Sequence, residues 1–227
     1  IFALGELEKK IFIENGFTSH QVFLTGTPKY NHIKLTCKNR IINSRNRHFN
    51  VLLTPTLNLL LELEMVQAAI LAASELDNIN LYLRSHPSAR MEELPEIQPL
   101  LPYLTSTTGT LEEDLNIADL VLFTYSTVAE EAFIRGIPVW QWLPAGFNGS
   151  VFREIPVVPQ FSQVEKLNNA LFQFVKKPNT FLPSEENQRL VLEQCFYKED
   201  GKATQRIAKH ILEIVSSKTK MESVLID

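Results

Sequence analysis

Two short polar motifs contain the residues best suited to chemistry, and each follows an apolar run typical of a β-strand. His86 follows the run Ile79–Leu83, and Ser126 and Thr127 follow the run Leu120–Phe123. In a parallel α/β sheet, ligands bind where strands end, since helix N-termini there present unpaired N–H groups to anions. We therefore expect an imidazole and two hydroxyls from neighbouring strand ends to hold one phosphorylated ligand.

The first motif places His86 at the exit of its strand. Pro87 cannot continue a strand ladder, so the imidazole of His86 is predicted to face a ligand. An imidazole beside a phosphate can act as an anion ligand, or as an acid that supports a departing phosphate. Arg84 lies two positions earlier and shares that face on an extended strand. The alternative is that His86 caps a turn and that Arg84 is solvated.

The second motif has a structural alternative of its own. Thr127 and Glu130 match a capping box, in which Thr127 caps a helix and Glu130 reaches back to the first N–H groups. Capping by Thr127 leaves the Ser126 hydroxyl unassigned and the remaining N–H groups pointing into the cleft. We expect phosphate contact through Ser126 and Thr127, with Glu130 turned aside.

Two threonines form a secondary set of candidates. Thr54 and Thr56 follow the first predicted strand of the same sheet, so they face the same cleft and could contact phosphate or sugar. Thr56 is equally suited to be the N-cap of the following helix.

Composition excludes several classes of function. The chain has 227 residues and a net charge of -4, which argues against a nucleic acid partner because phosphate backbones attract basic surfaces. Cys37 and Cys195 are far apart and are expected to be free thiols. Glu62 and Glu64 interrupt the longest apolar stretch, so no transmembrane helix is expected. No metal-ligand pattern is present.

Because the sequence starts at Ile1 inside a helical pattern, we expect a piece of a longer protein.

Strand-like and helix-like segments alternate along the chain, which predicts an α/β Rossmann-like parallel sheet with helices on both faces. Strands are predicted at 49–54, 79–85, 102–106, 119–125 and 137–142 and near 155–159, and helices at 58–76, 111–117, 127–135, 162–175, 184–196 and 202–217. The predicted segments are residues 1–33, a linker (34–48), a Rossmann-like domain (49–200), and a C-terminal helix and tail (201–227).

Four segments resemble GT-B glycosyltransferases. STVAEEAFIRGIPV resembles their ribose-contacting helix before a Gly-x-Pro turn, LTGTPKYNHI resembles the end of their N-terminal domain, and YKEDGKATQRIAKHI resembles the C-terminal helix of bacterial surface-polysaccharide transferases. The His-Pro pair followed by Ser-Thr resembles bacterial sialyltransferases, Kdo transferases and teichoic-acid glycerophosphotransferases. The resemblance implies one half of a GT-B fold, in which residues 1–33 are the end of a preceding N-terminal Rossmann domain and residues 49–200 form the nucleotide-sugar-binding domain. This domain would bind a CMP- or CDP-linked donor and need no separate cofactor.

The resemblance also implies roles for individual residues. His86, Ser126 and Thr127 would hold the donor phosphate, with His86 supporting catalysis, and Glu131 would contact the ribose. Glu112 or Glu113, which follow the turn at Gly109, could also hold the ribose, with Glu113 the preferred candidate. The alternative, favoured for Glu112, is that they simply place negative charge in the first turn of a helix. Phe147 is a candidate for the sugar pocket, whereas Trp140 and Trp142 are expected in the core.

As a whole, the resemblance implies an inverting, metal-independent transferase for capsule, lipopolysaccharide or teichoic acid. Its partners would be a nucleotide-sugar donor, a glycan or lipid-linked acceptor and an N-terminal domain of the same protein, which would carry the acceptor-activating carboxylate. The chain alone would therefore bind donor and transfer nothing. A cytoplasmic location is implied, with peripheral attachment to the inner face of the membrane through other parts as an option. The alternatives are a UDP-sugar 2-epimerase-like enzyme and a non-catalytic nucleotide-binding scaffold.

Overall fold

The computed structural model describes residues 1–31, 41–43, 47–144, 148–198 and 200–224, with side chains described up to residue 216. Contacts divide the chain into two compact units, residues 1–35 with 189–227 (unit 1) and residues 36–188 (unit 2). The division falls inside the helix Glu185–Phe196, whereas the sequence predicted a domain end at residue 200. Cys37 and Phe147 lie outside the described residues, and Cys195 is a buried free thiol.

Unit 1 contains a short parallel pair of strands with helices around it. Strands β1 (Phe2–Ala3) and β2 (Phe23–Leu24) pair with each other, and helix α1 (Glu6–Glu14) connects them. A Cβ atom on Gly5 would lie 2.1 Å from the backbone oxygen of Gln194, so only glycine fits at the start of α1.

Unit 2 is a six-stranded parallel sheet, which confirms the predicted fold class. In chain order its strands are β3 (Phe49–Leu53), β4 (Ile79–Leu83), β5 (Thr105–Ser106), β6 (Leu120–Phe123), β7 (Val139–Trp142) and β8 (Gln160–Phe161). Across the sheet the order is β5-β4-β3-β6-β7-β8, the doubly wound order of Rossmann domains. The connecting helices include α2 (Leu59–Ala73), α3 (Leu111–Ile117), α4 (Val128–Ile134) and α5 (Val164–Lys176). Helices α6 (Glu185–Phe196) and α7 (Ala203–Val224) follow.

Strand β6 is a continuous apolar run, and Gln141 is the one polar residue of β7, because helices cover the sheet here. All four residues of β6 and all four of β7 are buried, as expected for a parallel sheet with no solvated face. Helix α5 buries one stripe, Leu167, Leu171 and Phe174. The ring of Phe174 lies 5.7 Å from that of Trp140, centroid to centroid, and Trp140 is 1% exposed. The expectation that Trp140 and Trp142 belong to the core is confirmed.

Register places the two motifs at one edge of the sheet but not on adjacent strands. Leu53 of β3 pairs with Leu83 of β4 and with Leu122 of β6, so the three strands end at the same level. Strand β3 lies between β4 and β6, which corrects the expectation of neighbouring strand ends. With a spacing of about 4.8 Å between strands, the exits of β4 and β6 are roughly 10 Å apart. The direction of winding reverses between β3 and β6, where open α/β sheets bind ligands.

Three local predictions differ from the structure. The last strand lies at Gln160–Phe161 and not at 155–159, and β5 is only two residues long. A 3-10 helix at Gln98–Tyr103 covers the start of the strand predicted at 102–106. The predicted end of helix α4 is confirmed, since Gly136 has a left-handed backbone with φ of 77°.

Candidate functional site

A cleft of about 340 Å³ opens where β4 and β5 end. It is lined by Arg84–Pro87, Arg90 and Glu92 after β4, and by Thr107–Gly109 after β5. His86 is half-buried in this wall and Pro87 is exposed beside it. The first predicted motif therefore lines a concave surface at the carboxyl edge of the sheet.

Local hydrogen bonds orient the imidazole of His86. Its Nδ1 accepts a hydrogen bond from the Ser88 backbone N–H at 3.1 Å, and His86 and Ala89 form an isolated β-bridge. Because Nδ1 is an acceptor, the network assigns the proton of the neutral ring to Nε2. Nε2 has no hydrogen-bond partner among the described residues and can donate to a ligand oxygen. His86 therefore stabilises a turn, as the alternative interpretation predicted. Only its Nδ1 is used for this, and Nε2 stays available to a ligand.

Arg84 is part of the cleft wall and is not simply solvated. Its guanidinium donates to the Asp114 carboxylate at 2.5 Å and to the Gly109 carbonyl at 3.0 Å. The side chains of Arg84 and Asp114 are 22% and 5% exposed, so the pair is largely withdrawn from water. It ties the exit of β4 to helix α3 and to the Gly109 turn, which keeps both walls of the cleft in place.

The predicted capping box at Thr127 and Glu130 is wrong. Thr127 occupies the N-cap position of α4, but its backbone is helical (φ −66°, ψ −13°) and its side chain makes no capping hydrogen bond. An N-cap needs an extended backbone to aim its oxygen at the N2 or N3 N–H. The box is formed instead by Thr110 and Glu113 on α3, where Thr110 is extended (φ −68°, ψ 159°).

This box determines the surroundings of Glu113. Its Oε2 accepts from the Thr110 backbone N–H at 2.7 Å and from the Thr110 hydroxyl at 2.9 Å. The backbone hydrogen bond from Thr110 holds the pKa of the exposed Glu113 carboxyl below its ordinary value. Glu113 lies in the first turn of α3, as the alternative interpretation of this residue predicted. A ribose contact through the remaining Oε1 stays a prediction.

The hydroxyls of the second motif are accessible where β6 ends. Ser126 is half-buried, and its Oγ accepts a weak hydrogen bond from the Val128 N–H at 3.4 Å. Thr127 is exposed, and its hydroxyl has no partner among the described residues. Helix α4 has only seven residues, so its dipole is small, and the two hydroxyls rather than the helix carry the phosphate prediction.

Glu131 lies on the buried side of α4. Its carboxylate accepts from the Arg135 guanidinium at 2.6 Å, and its side chain is 7% exposed. One oxygen of Glu131 is thus committed to Arg135, one helical turn further along. The ribose contact implied by the resemblance stays a prediction for this residue.

Between the two motifs, β3 ends in a buried polar cluster that sequence reasoning missed. Glu62 of α2 is 0% exposed, and its Oε1 accepts from the hydroxyls of Thr56, at 2.6 Å, and Thr124. Its Oε2 and the hydroxyl of Thr54 are buried without hydrogen-bond partners among the described residues. Asn58, not Thr56, is the N-cap of α2, so the expectation of capping by Thr56 is wrong. Glu62 links the exits of β3 and β6, where winding reverses.

A sequence signal for this cluster existed. Glu62 was interpreted only as a break in an apolar run, yet helical spacing puts it on one face with Met65, Val66 and Ala69, all of which are buried. A carboxylate on such a face must find hydrogen-bond donors. The sequence does not reveal which donors meet it, since Thr124 lies 62 residues away.

Comparisons with solved structures identify similar folds. The wall teichoic acid polymerase TagF, soaked with CDPG, matches with a TM-score of 0.58 at 16% identity, covering 96% of this chain and 57% of that chain. UDP-GlcNAc 2-epimerase from Methanocaldococcus jannaschii, with UDP-GlcNAc and UDP, matches with a TM-score of 0.62 at 17% identity, covering 92% and 60%. The Neisseria meningitidis enzyme bound to UDP-GlcNAc matches with a TM-score of 0.54 at 15% identity, covering 93% and 60%.

These matches establish the fold. The chain shares its α/β fold with these three solved chains and spans 57% to 60% of their length. No protein-family model and no curated protein matches the sequence. Within the described residues, no helix is long and apolar enough to cross a bilayer. No cluster of three or more potential metal ligands occurs in the same part of the chain.

The Glu62 cluster leads to a prediction about pH. Burial raises the pKa of the Glu62 carboxyl above its ordinary value of 4.5, against the opposing effect of the Thr124 and Thr56 hydrogen bonds. The folded state therefore holds this proton more tightly than the unfolded state. Stability is lost as the pH rises from about 4.5 through the folded pKa. We expect the free energy of unfolding of Glu62→Gln, relative to the wild type, to increase over that interval.

Urea unfolding of both proteins at a series of pH values measures this difference. Glu75→Gln is the matched control, because Glu75 is an exposed carboxylate that follows the same helix. A stability difference between Glu62→Gln and the wild type that is independent of pH would contradict the prediction.

Proposed function

We propose that this chain is the donor-nucleotide-binding half of a glycosyltransferase that builds a bacterial surface polysaccharide from a CMP- or CDP-activated donor. One observation carries the proposal: the His86 cleft and the Ser126–Thr127 hydroxyls lie at the same edge of the sheet, on both sides of the β3 exit. Two strand spacings, roughly 10 Å, suit a ligand in which a nucleoside is joined to phosphate. The solved structure of TagF with CDPG supports the donor type.

In the proposed reaction a hydroxyl of the acceptor attacks the donor carbon that is bonded to phosphate, forms a new carbon–oxygen bond and gives its proton to the acceptor-activating carboxylate of the remainder of the enzyme. The bond between that carbon and the phosphate oxygen breaks, and its electron pair leaves with the nucleoside phosphate. Nε2–H of His86 and the hydroxyls of Ser126 and Thr127 donate to the phosphate oxygens, where negative charge increases. Inverting stereochemistry, independence of metal ions and a cytoplasmic location follow from the resemblance and stay predictions.

The acceptor and its activation belong to the remainder of the proposed enzyme. The glycan or lipid-linked acceptor, the acceptor-activating carboxylate and any membrane attachment are proposals about parts beyond this chain. A second candidate function is a UDP-sugar 2-epimerase-like reaction, which the two matched epimerase structures with UDP-GlcNAc favour. A nucleotide-binding scaffold without catalysis is the third.

Calorimetric titration of the chain with CDP, UDP and cytidine tests the proposal. We expect CDP to bind at least about tenfold more tightly than cytidine, since the phosphate contacts contribute about 1.5–3 kcal/mol. Tighter binding of UDP than of CDP would favour the epimerase-like function. Absence of binding by either nucleotide would contradict nucleotide binding altogether.

A further inference from the structure

Glu92 is the one carboxylate among the cleft-lining residues that the structure describes. Ser85 donates its hydroxyl proton to Glu92 Oε2 at 2.7 Å and accepts from the Met91 backbone N–H at 3.1 Å. Met91 is completely buried, so this chain of hydrogen bonds is anchored in the core. Because Ser85 and Glu92 both line the cleft, the carboxylate is held at the cleft wall.

The charge of Glu92 is not neutralised by its neighbours. The Arg84 guanidinium is occupied by Asp114 and by the Gly109 carbonyl. The Arg90 guanidinium pairs with the Glu93 carboxylate at 3.8 Å, and both side chains are exposed. Within the described part of the chain, Glu92 forms no ion pair, and its Oε1 accepts no hydrogen bond. The cleft therefore offers a fixed, unpaired acceptor to a ligand.

An unpaired carboxylate selects ligands by their hydrogen-bond donors. It repels phosphate, so the phosphates of the ligand are better placed between Nε2 of His86 and the Ser126 and Thr127 hydroxyls, and the base then lies in the cleft beside Glu92. A carboxylate accepts well from the exocyclic N4 amino group of cytosine. Uracil carries a carbonyl oxygen at that position, and two facing acceptors repel each other.

We infer that Glu92 determines base specificity by accepting a hydrogen bond from an amino-bearing pyrimidine, so that the cleft binds cytosine and rejects uracil. The inference rests on the proposed function, because it assumes that a nucleotide occupies this edge of the sheet. It assigns the cleft to the base, which leaves the phosphate to His86, Ser126 and Thr127.

The test is calorimetric titration of CMP and UMP into the wild type and into Glu92→Gln. We expect the wild type to bind CMP at least about tenfold more tightly than UMP, as a well-oriented base contact provides. In Glu92→Gln the amide can donate to the uracil carbonyl, so the CMP-to-UMP affinity ratio should fall toward one and UMP should bind more tightly than before. Glu96→Gln, an exposed carboxylate outside the cleft, should leave the ratio unchanged.

A ratio in Glu92→Gln equal to that of the wild type, or a wild type that prefers UMP, overturns the inference while leaving nucleotide binding intact. Failure of both nucleotides to bind contradicts the proposed function itself. Thermal unfolding verifies that Glu92→Gln is folded.

Ser85→Ala provides the second variant, since it keeps the Glu92 carboxylate but removes the Ser85 hydroxyl that donates a hydrogen bond to it. We expect it to lower the CMP-to-UMP ratio, and an unchanged ratio there also counts against the inference.

Discussion

Replacing His86 by alanine is expected to weaken CDP binding by about tenfold to a hundredfold. A hydrogen bond between a polar donor and a charged phosphate contributes about 1.5–3 kcal/mol, and each 1.4 kcal/mol changes the dissociation constant tenfold. His86 is suited to this contact because Ser88 occupies Nδ1 and leaves Nε2–H for the ligand. The measurement is calorimetric titration of the variant with CDP.

Two comparisons make this result specific. His48→Ala removes an exposed imidazole of the same unit, away from the cleft lining, and should bind CDP like the wild type. Thermal unfolding of His86→Ala should show a folded protein, since the His86 side chain is only half-buried, at the wall of the cleft. Binding of CDP to His86→Ala with wild-type affinity would remove the imidazole from the proposed site.

Replacing Asp114 by alanine is expected to lower the free energy of unfolding by about 3 kcal/mol. Removing one partner of a buried ion pair costs about 3–5 kcal/mol, because the other charge is left without compensation. The lower end of that range applies, as Arg84 keeps the Gly109 carbonyl and some contact with water. Urea unfolding measures the change.

The same substitution should also affect the cleft. Without Asp114, the Arg84 guanidinium is free to turn toward Glu92 and pair with it, so CMP should bind more weakly. Glu112→Ala is the matched control, because Glu112 is exposed on the same helix and should change stability by less than about 0.5 kcal/mol. An Asp114→Ala variant as stable as the wild type would show that the pair does not hold the cleft wall.

The sheet could be predicted from the sequence because its four longer strands are largely apolar and are separated by helical patterns. Strand Phe49–Leu53 was predicted to within one residue, and helix Leu111–Ile117 was predicted with its observed bounds. Strand Gln160–Phe161 was missed. Only two residues pair there. Residues 155–159 are more apolar, so the strand was predicted at those residues instead.

Capping shows the limit of pattern reasoning. Thr110 with Glu113 and Thr127 with Glu130 have the same spacing, yet only the first pair forms a capping box. The backbone angle of the threonine decides between them, and that angle depends on how β6 enters α4. Sequence spacing contains no information on it.

The positions of the candidate residues could be predicted better than their partners. Placing His86, Ser126 and Thr127 at strand ends required only the local pattern, and the structure puts them at one edge of the sheet. The intervening β3, the Arg84–Asp114 pair and the Glu62 cluster depend on strand order and on contacts between distant segments. Such contacts are set by tertiary packing and leave little trace in a single sequence.

The most direct test of the account is a crystal structure of this chain with CDP bound. We expect phosphate oxygens within hydrogen-bond distance of His86 Nε2 and of the Ser126 and Thr127 hydroxyls, with the cytosine amino group at Glu92. A CDP phosphate bound away from the β4 and β6 exits, with the His86 imidazole making no contact to it, would contradict the account.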